Sequence, residues 1–144
     1  MMNRTRIVCV LFSLIASVVG CSTPAKLIGD SWEVSSVAGE PVVASNEMRH
    51  LPMFRFLPDS GKVLGFSGCN QFSGTYVQNG DSLRFGPLVM TKMACPFLEL
   101  ENKIVGAITA TRTVERDGDL VSFMAGDTVL MVCRSKVYPD FKQP

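Results

Sequence analysis

The chain has 144 residues, of which 47% are hydrophobic and 19% are charged, with 14 Lys and Arg against 13 Asp and Glu. This length corresponds to one domain that can bury a core of its own without relying on disulfides or metals. The nearly neutral charge and the lack of any basic run exclude nucleic acid as an expected partner.

The N-terminal segment has the pattern of a signal peptide. Arg4 and Arg6 precede an apolar run over residues 7–19, which is shorter than the ~20 residues that a membrane-spanning helix needs. A small residue, Gly20, and then Cys21 follow this run. We therefore predict a signal peptide over residues 1–20. A buried N-terminal helix of the domain and an ordinary secretory signal with a coincidental cysteine are the alternatives.

The residues Val18-Val19-Gly20-Cys21 resemble the bacterial lipobox, in which the cysteine is diacylated and becomes the mature N-terminus. The resemblance implies that the Cys21 thiol carries the lipid, palmitate among its acyl groups. Because two or more acyl chains anchor stably, we expect the mature protein to sit on a membrane rather than to span it. Ser22 follows the cysteine, and by resemblance to enteric-type sorting rules it favours the periplasmic face of the outer membrane.

Cleavage before Cys21 would leave 124 residues, with 12 Lys and Arg against 13 Asp and Glu, so the mature net charge would be −1. Three further cysteines would remain, Cys69, Cys95 and Cys133. An exported domain meets an oxidising environment, so we expect one pair to form a disulfide. Three pairings are possible, and the cysteine count does not choose among them.

The mature chain begins with a predicted lipidated tether over residues 21–30, in which little can pack. Alternation of apolar and polar residues then predicts short strands. In Ser31–Val37, the side chains of Trp32, Val34 and Val37 should face inward. Residues 53–57 and 62–67 flank a turn signal at residues 58–61 and should form a hairpin. Further strands are expected at residues 75–78, 82–85, 88–91, 113–115, 120–124 and 128–134.

One segment has a helical period instead. Phe97, Leu100, Ile104 and Ile108 recur at helical spacing within residues 96–109, and Pro96 suits the first turn of a helix. We therefore predict an α+β domain over residues 31–135 with a C-terminal tail at 136–144. Its antiparallel sheet of about seven or eight strands should curl toward a partly open barrel with this one main helix in its mouth.

Residues 68–76 read GCNQFSGTY, and this motif resembles the signature of the META domain family, the HslJ-type domains of bacterial envelope lipoproteins. The motif residues are Gly68, Cys69, Asn70, Phe72, Gly74 and Tyr76. The chain also supplies the family's opening Trp32, its Phe56 and Gly65, a Thr-led approach to Cys95, and Glu99 or Glu101 in the helix. The similarity runs from Trp32 to about Arg134, with Ile104 and Val114 where the family often has aromatic residues.

The resemblance implies a disulfide between Cys69 and Cys95, which lie 26 residues apart. A bridge closing a loop of this length stabilises a protein by about 3 kcal/mol in the chain-entropy estimate. Gly68, Asn70 and Gly74 tolerate unusual backbone angles, so residues 68–74 are expected to form a turn-rich segment. The resemblance further implies an envelope or stress-associated role, and a fold like that of the pilot lipoproteins that escort secretins.

Catalysis is not favoured by the residues present. A Cys69 nucleophile would need a base, but the one histidine, His50, lies in an irregular segment without evident relation to it. The cysteines lack zinc-ligand spacing, and Asp117, Asp119 and Asp127 are expected to be solvated turn residues rather than a calcium loop. We expect no metal and no cofactor. The methionines are expected to fill the core, although a Met-lined surface can also bind adaptable partners.

Three functions remain open. The first is a tethered, non-catalytic module that binds an envelope protein, in outer-membrane protein assembly or in a stress response. The second is a carrier of a lipid or another apolar small molecule in the barrel mouth. The third is an enzyme, which is disfavoured because the chain lacks evident catalytic groups.

Overall fold

A computed structural model describes Leu27 and residues 31–48 and 50–136; the predicted signal peptide, Cys21 and nearly all of the predicted tail lie outside them. The described residues form ten strands and one α-helix, α1 (Leu98–Ala110). The strands are β1 (Ser31–Val37), β2 (Glu40–Pro41), β3 (Met53–Leu57), β4 (Lys62–Phe66), β5 (Gln71–Asn79), β6 (Ser82–Phe85), β7 (Val89–Met90), β8 (Thr113–Asp117), β9 (Leu120–Ala125) and β10 (Thr128–Lys136). Within the described part of the chain, no helix has the length and hydropathy to cross a membrane.

Every strand pairing is antiparallel, and the pairings run in a ring. The order is β10-β9-β8-β6-β5-β4-β3-β1, and β1 then pairs with β10 along most of its length. The weakest junction joins β6 to β8, where Ser82 and Thr113 form a single bridge. The sheet is therefore ring-like without being a barrel. This confirms the predicted fold class of an antiparallel sheet curled around one helix.

The predicted hairpins form with tight turns. β3 and β4 are joined by a single 3-10 turn over Pro58–Ser60, and Gly61 closes it with φ of 59°. β5 and β6 are joined at Asn79-Gly80, where Gly80 has φ of 58°. Positive φ strains residues that have a side chain, so glycine allows the chain to reverse tightly at both turns. β10 lies between β9 and β1, a position inside the ring that suits its mostly apolar sequence.

Two local predictions were wrong, and one short strand was missed. β5 begins at Gln71, so the segment expected to turn over residues 68–74 is turn only to Asn70, and Phe72 and Gly74 lie in a strand. The α-helix begins at Leu98, with Pro96 ahead of the N-cap residue rather than in the first turn. The short strand β2, which pairs with the end of β1, was not predicted, because its sequence Glu-Pro carries no alternation.

Aromatic rings and the inner face of α1 fill the interior of the ring. Phe54 packs edge-on against Phe56 and Phe123, with ring centroids 5.8 and 5.5 Å apart. Ile104 and Ile108 of α1 are buried against this core. Trp32, Val34 and Val37 of β1 are also buried, as predicted. Burial of such side chains contributes about 1.5–3 kcal/mol each to folding.

Leu27 extends the core beyond the first strand. It lies in the range predicted as a tether in which little packs, yet it is fully buried in the hydrophobic core. Its carbonyl oxygen accepts a hydrogen bond of 3.1 Å from the indole Nε1 of Trp32. The domain therefore holds the incoming chain at Leu27, immediately before β1.

Candidate functional site

The motif that resembles the family signature begins at the turn between β4 and β5. Gly68 has φ of 100°, and a Cβ at this position would lie 3.3 Å from Pro52 and 3.6 Å from Leu100 of α1. The backbone nitrogen of Ser67 donates a hydrogen bond of 2.9 Å to the carbonyl oxygen of Asn70. Glycine is thus needed here for the backbone angle, and a side chain would also press against Pro52.

The carboxylate of Glu101 is the centre of a buried polar cluster. Glu101 projects from α1 and is only 7% exposed. One oxygen accepts a hydrogen bond of 2.9 Å from the Asn70 backbone nitrogen and another from the Ser67 hydroxyl, and the other oxygen accepts one of 3.0 Å from Asn70 Nδ2. A buried carboxylate is costly unless such donors compensate it, and here both of its oxygens are satisfied.

Asn70 extends this cluster to the segment that leads into the helix. Its Oδ1 accepts hydrogen bonds of 2.9 Å from Thr91 Oγ1 and 2.7 Å from the Met93 backbone nitrogen. We call Ser67, Asn70, Thr91 and Glu101 the Glu101 cluster. Its hydrogen bonds join the β4–β5 turn, the strand-to-helix segment and α1, so these three parts hold one another in place.

A disulfide between Cys69 and Cys95 lies beside the Glu101 cluster, with the two Cα atoms 5.9 Å apart. This is the pairing that the family resemblance implied. It joins the same turn to the same strand-to-helix segment a second time. Cys133 stays free and is buried in β10, where burial raises the pKa of its thiol well above the usual value. Cys133 therefore behaves as a small apolar core residue.

The other motif residues serve the core. The ring of Tyr76 packs edge-on against Phe56 at 4.7 Å, and the ring of Phe72 lies 6.4 Å from that of Phe54. Gly74 lies under Leu88, whose Cδ2 would be 2.6 Å from a Cβ at that position. The motif thus supplies a turn, a disulfide and two buried rings rather than a set of side chains that converge on open space.

The residues considered for catalysis or metal binding are not brought together. The sulfur of Cys69 is bonded in the disulfide, and His50 is exposed. Among the described residues, no group of three or more His, Cys, Asp or Glu side chains could hold a metal ion. Asp117, Asp119 and Asp127 are exposed at hairpin ends, and Asp119 pairs with Arg134 at 3.1 Å.

A cleft of about 230 Å³ opens between the β1–β2 hairpin and the start of α1. We call it the hairpin–helix cleft. The residues that line it are Val37, Glu40, Pro41, Val42, Pro96, Phe97, Glu99, Leu100 and Lys103. The ammonium of Lys103 lies 2.7 Å from the Glu40 carboxylate and 3.2 Å from the Glu99 carboxylate, and its hydrogen bond to Glu40 is the main cause of its raised pKa.

Sequence reasoning missed both the full Glu101 cluster and this cleft. It left Glu99 and Glu101 as alternatives, although helical spacing separates them. Glu101 lies three and seven residues before Ile104 and Ile108, which puts it on the buried face of α1. Glu99 is displaced from that face and is 85% exposed. The ion pair between Lys103 and Glu40 joins residues 63 positions apart, and no local pattern indicates it.

The fold and the site define a small ring-shaped antiparallel domain whose signature residues stabilise one end of the ring. The sequence model of the META domain family matches residues 25–136. The chain therefore belongs to the META domain family.

Two solved structures are similar to this chain. One is described as an NMR structure of a protein from Burkholderia xenovorans; it is 25% identical, with a TM-score of 0.60 over 78% of this chain and 85% of the other. A second NMR structure is 23% identical, with a TM-score of 0.60 over 75% of this chain and 90% of the other. No curated protein matches the chain.

Proposed function

We propose that this chain is a lipid-anchored envelope protein whose META domain is a non-catalytic interaction or stress-support module, with a role in outer-membrane protein assembly as one form of it. The proposal rests on the hydrogen bonds and the disulfide that the signature residues form within the domain. The polar groups of the Glu101 cluster are bound to one another, and the thiol of Cys69 is in a disulfide. Groups used in this way stabilise a surface and are not available for acid–base or nucleophilic chemistry.

The polar satisfaction of the domain supports the same proposal. Every buried side-chain nitrogen and oxygen among the described residues has a hydrogen-bond partner. Active sites often keep buried polar groups that the protein leaves without partners and that are aimed at a substrate. The groups in this part of the chain instead complete the fold, which suits a module that works through its surface.

The position of the anchor fits an interaction module as well. Ser31 and Val37 are the first and last residues of β1, so at ~3.3 Å per residue they lie about 20 Å apart. The predicted lipid precedes the Ser31 end, while the hairpin–helix cleft and the hairpin after Val37 lie at the other end. In a protein anchored at Cys21, the cleft would therefore lie at the end of β1 that is farther along the chain from the lipid.

Packing favours the module over the carrier. A small-molecule site usually has ~300–1,000 Å³ and buries most of its ligand. The interior of the ring is occupied by Phe54, Phe56, Phe123 and the inner face of α1, and the hairpin–helix cleft has about 230 Å³. A lipid held inside the ring would have to displace buried aromatic side chains.

Site-specific photo-crosslinking in intact cells tests the proposal. A photo-reactive residue is placed singly at Val43, Val77 and Val129, which are 71%, 70% and 45% exposed on different parts of the surface. We expect at least one position to give a discrete adduct with an envelope protein. Adducts with lipid alone from every position, or no adduct at any position, would contradict an interaction module.

A further inference from the structure

We propose that the hairpin–helix cleft binds a protein segment in which an apolar side chain is flanked by lysine or arginine. This inference rests on the proposed function and names the chemistry of the partner. The apolar residues that line the cleft include Val37, Val42 and Leu100, and two acidic residues, Glu40 and Glu99, line it from the hairpin and from the helix. An occupant must therefore bury apolar surface and tolerate negative charge at the same time.

The two walls of the cleft are fixed before any partner binds. The hairpin wall turns through Ala38 and Gly39, both with positive φ, and is tied down by hydrogen bonds of 2.9 Å from Ala38 N to Leu130 O and from Val42 N to Ser35 O. The helix wall is held by the disulfide at Cys95, next to Pro96. A preformed cleft loses little conformational entropy on binding, which favours recognition.

The charges of the cleft select a cationic partner. The carboxylates of Glu40 and Glu99 both form ion pairs with the ammonium of Lys103, so the residues that line the cleft carry one negative charge in excess. Their side chains are 68% and 85% exposed, whereas that of Lys103 is 32% exposed. The carboxylates are thus the more accessible charges. A fatty-acid carboxylate or a phospholipid phosphate would be repelled by them, while a basic side chain would be attracted.

The size of the cleft and its edge indicate how such a segment binds. A volume of about 230 Å³ is below the ~300–1,000 Å³ of most small-molecule sites and suits a single large side chain. The edge strand of the hairpin contains Pro41, which has no N–H to donate, and proline at an edge opposes the addition of another strand. The segment therefore binds through its side chains rather than by extending the sheet.

The test uses the acylated full-chain product in detergent micelles and two capped pentapeptides, Gly-Lys-Phe-Lys-Gly and Gly-Glu-Phe-Glu-Gly. Backbone amide chemical shifts of Val42 and Leu100 report binding in the cleft. We expect saturable shifts with the lysine peptide and weaker ones with the glutamate peptide. Equal binding of both peptides, preference for the glutamate peptide, or no shift at these residues would overturn the inference.

A charge variant makes the test specific. The double substitution Glu40→Gln and Glu99→Gln changes the cleft from one excess negative charge to one excess positive charge, because Lys103 remains. We expect affinity for the lysine peptide to fall about fivefold or more, and the preference between the peptides to reverse. The matched control is Asp59→Asn with Glu115→Gln, which removes the same charge from exposed residues outside the cleft. An equal loss in the control would overturn the inference.

Photo-crosslinking separates failure of this inference from failure of the proposed function. A photo-reactive residue at Pro41 is compared with those at Val77 and Val129. We expect the Pro41 adduct to map to a basic, apolar segment of the partner. Protein adducts from the other positions and not from Pro41 would contradict binding in the cleft and would still support an interaction module. An absence of protein adducts at all positions would overturn both.

Discussion

At the scale of single residues, the signature of this domain is explained by packing and hydrogen bonding. Glu101 is a charged residue on the buried face of a helix, and it is tolerated because Ser67 and Asn70 surround it with donors. Gly65 is small because the ring of Phe72 crosses over it. These two positions give the sharpest tests, because each can be compared with a residue of the same type that lacks the same contacts: Glu99 for Glu101, and Gly106 for Gly65.

Glu101→Gln should destabilise the domain by about 2–3 kcal/mol. The neutral amide weakens the hydrogen bonds that the carboxylate accepts, and its NH₂ group faces a donor of Ser67 or Asn70 where an acceptor oxygen stood. Urea unfolding followed by fluorescence of the single tryptophan measures this. Glu99→Gln is the control, since Glu99 is 85% exposed and should change stability by less than ~0.5 kcal/mol. Equal effects of the two substitutions would contradict a structural role for Glu101.

Gly65→Ala should cost about 1–3 kcal/mol by overpacking. A Cβ at Gly65 would lie 2.5 Å from the Phe72 ring and 2.6 Å from the Met53 carbonyl oxygen. Gly106→Ala is the matched control, because nothing lies within 4 Å of a Cβ at Gly106 in α1. There, alanine should raise stability by up to ~1 kcal/mol through helix propensity. Thermal unfolding midpoints should therefore move in opposite directions.

At the scale of elements, several strands could be predicted from the sequence. β1, β3 and β6 have the predicted bounds because apolar and polar residues alternate over at least part of each sequence. The start of β5 was mispredicted because Asn70 and Gly74 are common in turns, but Gly74 serves instead to make room for Leu88. The strand β2 could not be predicted from the sequence, because its pairing depends on the turn after β1 that brings it back alongside that strand, and not on its own two residues.

The disulfide and the Glu101 cluster join the same elements, so the disulfide should be stabilising without being the sole connection. Cys69→Ala with Cys95→Ala should lower the free energy of unfolding by about 3 kcal/mol and leave the fold intact. Chemical denaturation with and without a reductant measures this. The reductant should destabilise the parent protein and have no effect on the double variant. Loss of the folded state in the double variant would show that the cluster cannot hold the helix alone.

At the scale of the whole molecule, the family and the ring-like sheet could be predicted, but the hairpin–helix cleft could not. The motif around Cys69 is local in sequence, and a family signature can therefore carry it. The cleft is formed by Glu40, Pro96 and Lys103 from three separate segments. Long-range pairs of this kind depend on the final packing of β2 against α1, which no periodicity indicates.

Cys21→Ser should release the protein from the membrane fraction, because acylation at this thiol is the predicted anchor. The substitution lies ahead of the packed core, so we expect the domain to stay folded. Cell fractionation with immunodetection measures the distribution, and Cys133→Ala is the control that removes a different cysteine. A Cys21→Ser protein that stays with the membrane would contradict lipid anchoring at this residue.

We predict that the mature protein is a cleaved, acylated chain that displays a disulfide-bonded domain without a resident small molecule. Mass spectrometry of the protein extracted gently from its own membrane tests this most directly, first native and then denatured with thiol labelling. We predict a chain that begins at acylated Cys21, one labelled thiol at Cys133, and a native mass with no small-molecule increment. An uncleaved N-terminus, three labelled thiols or a bound apolar molecule would contradict it.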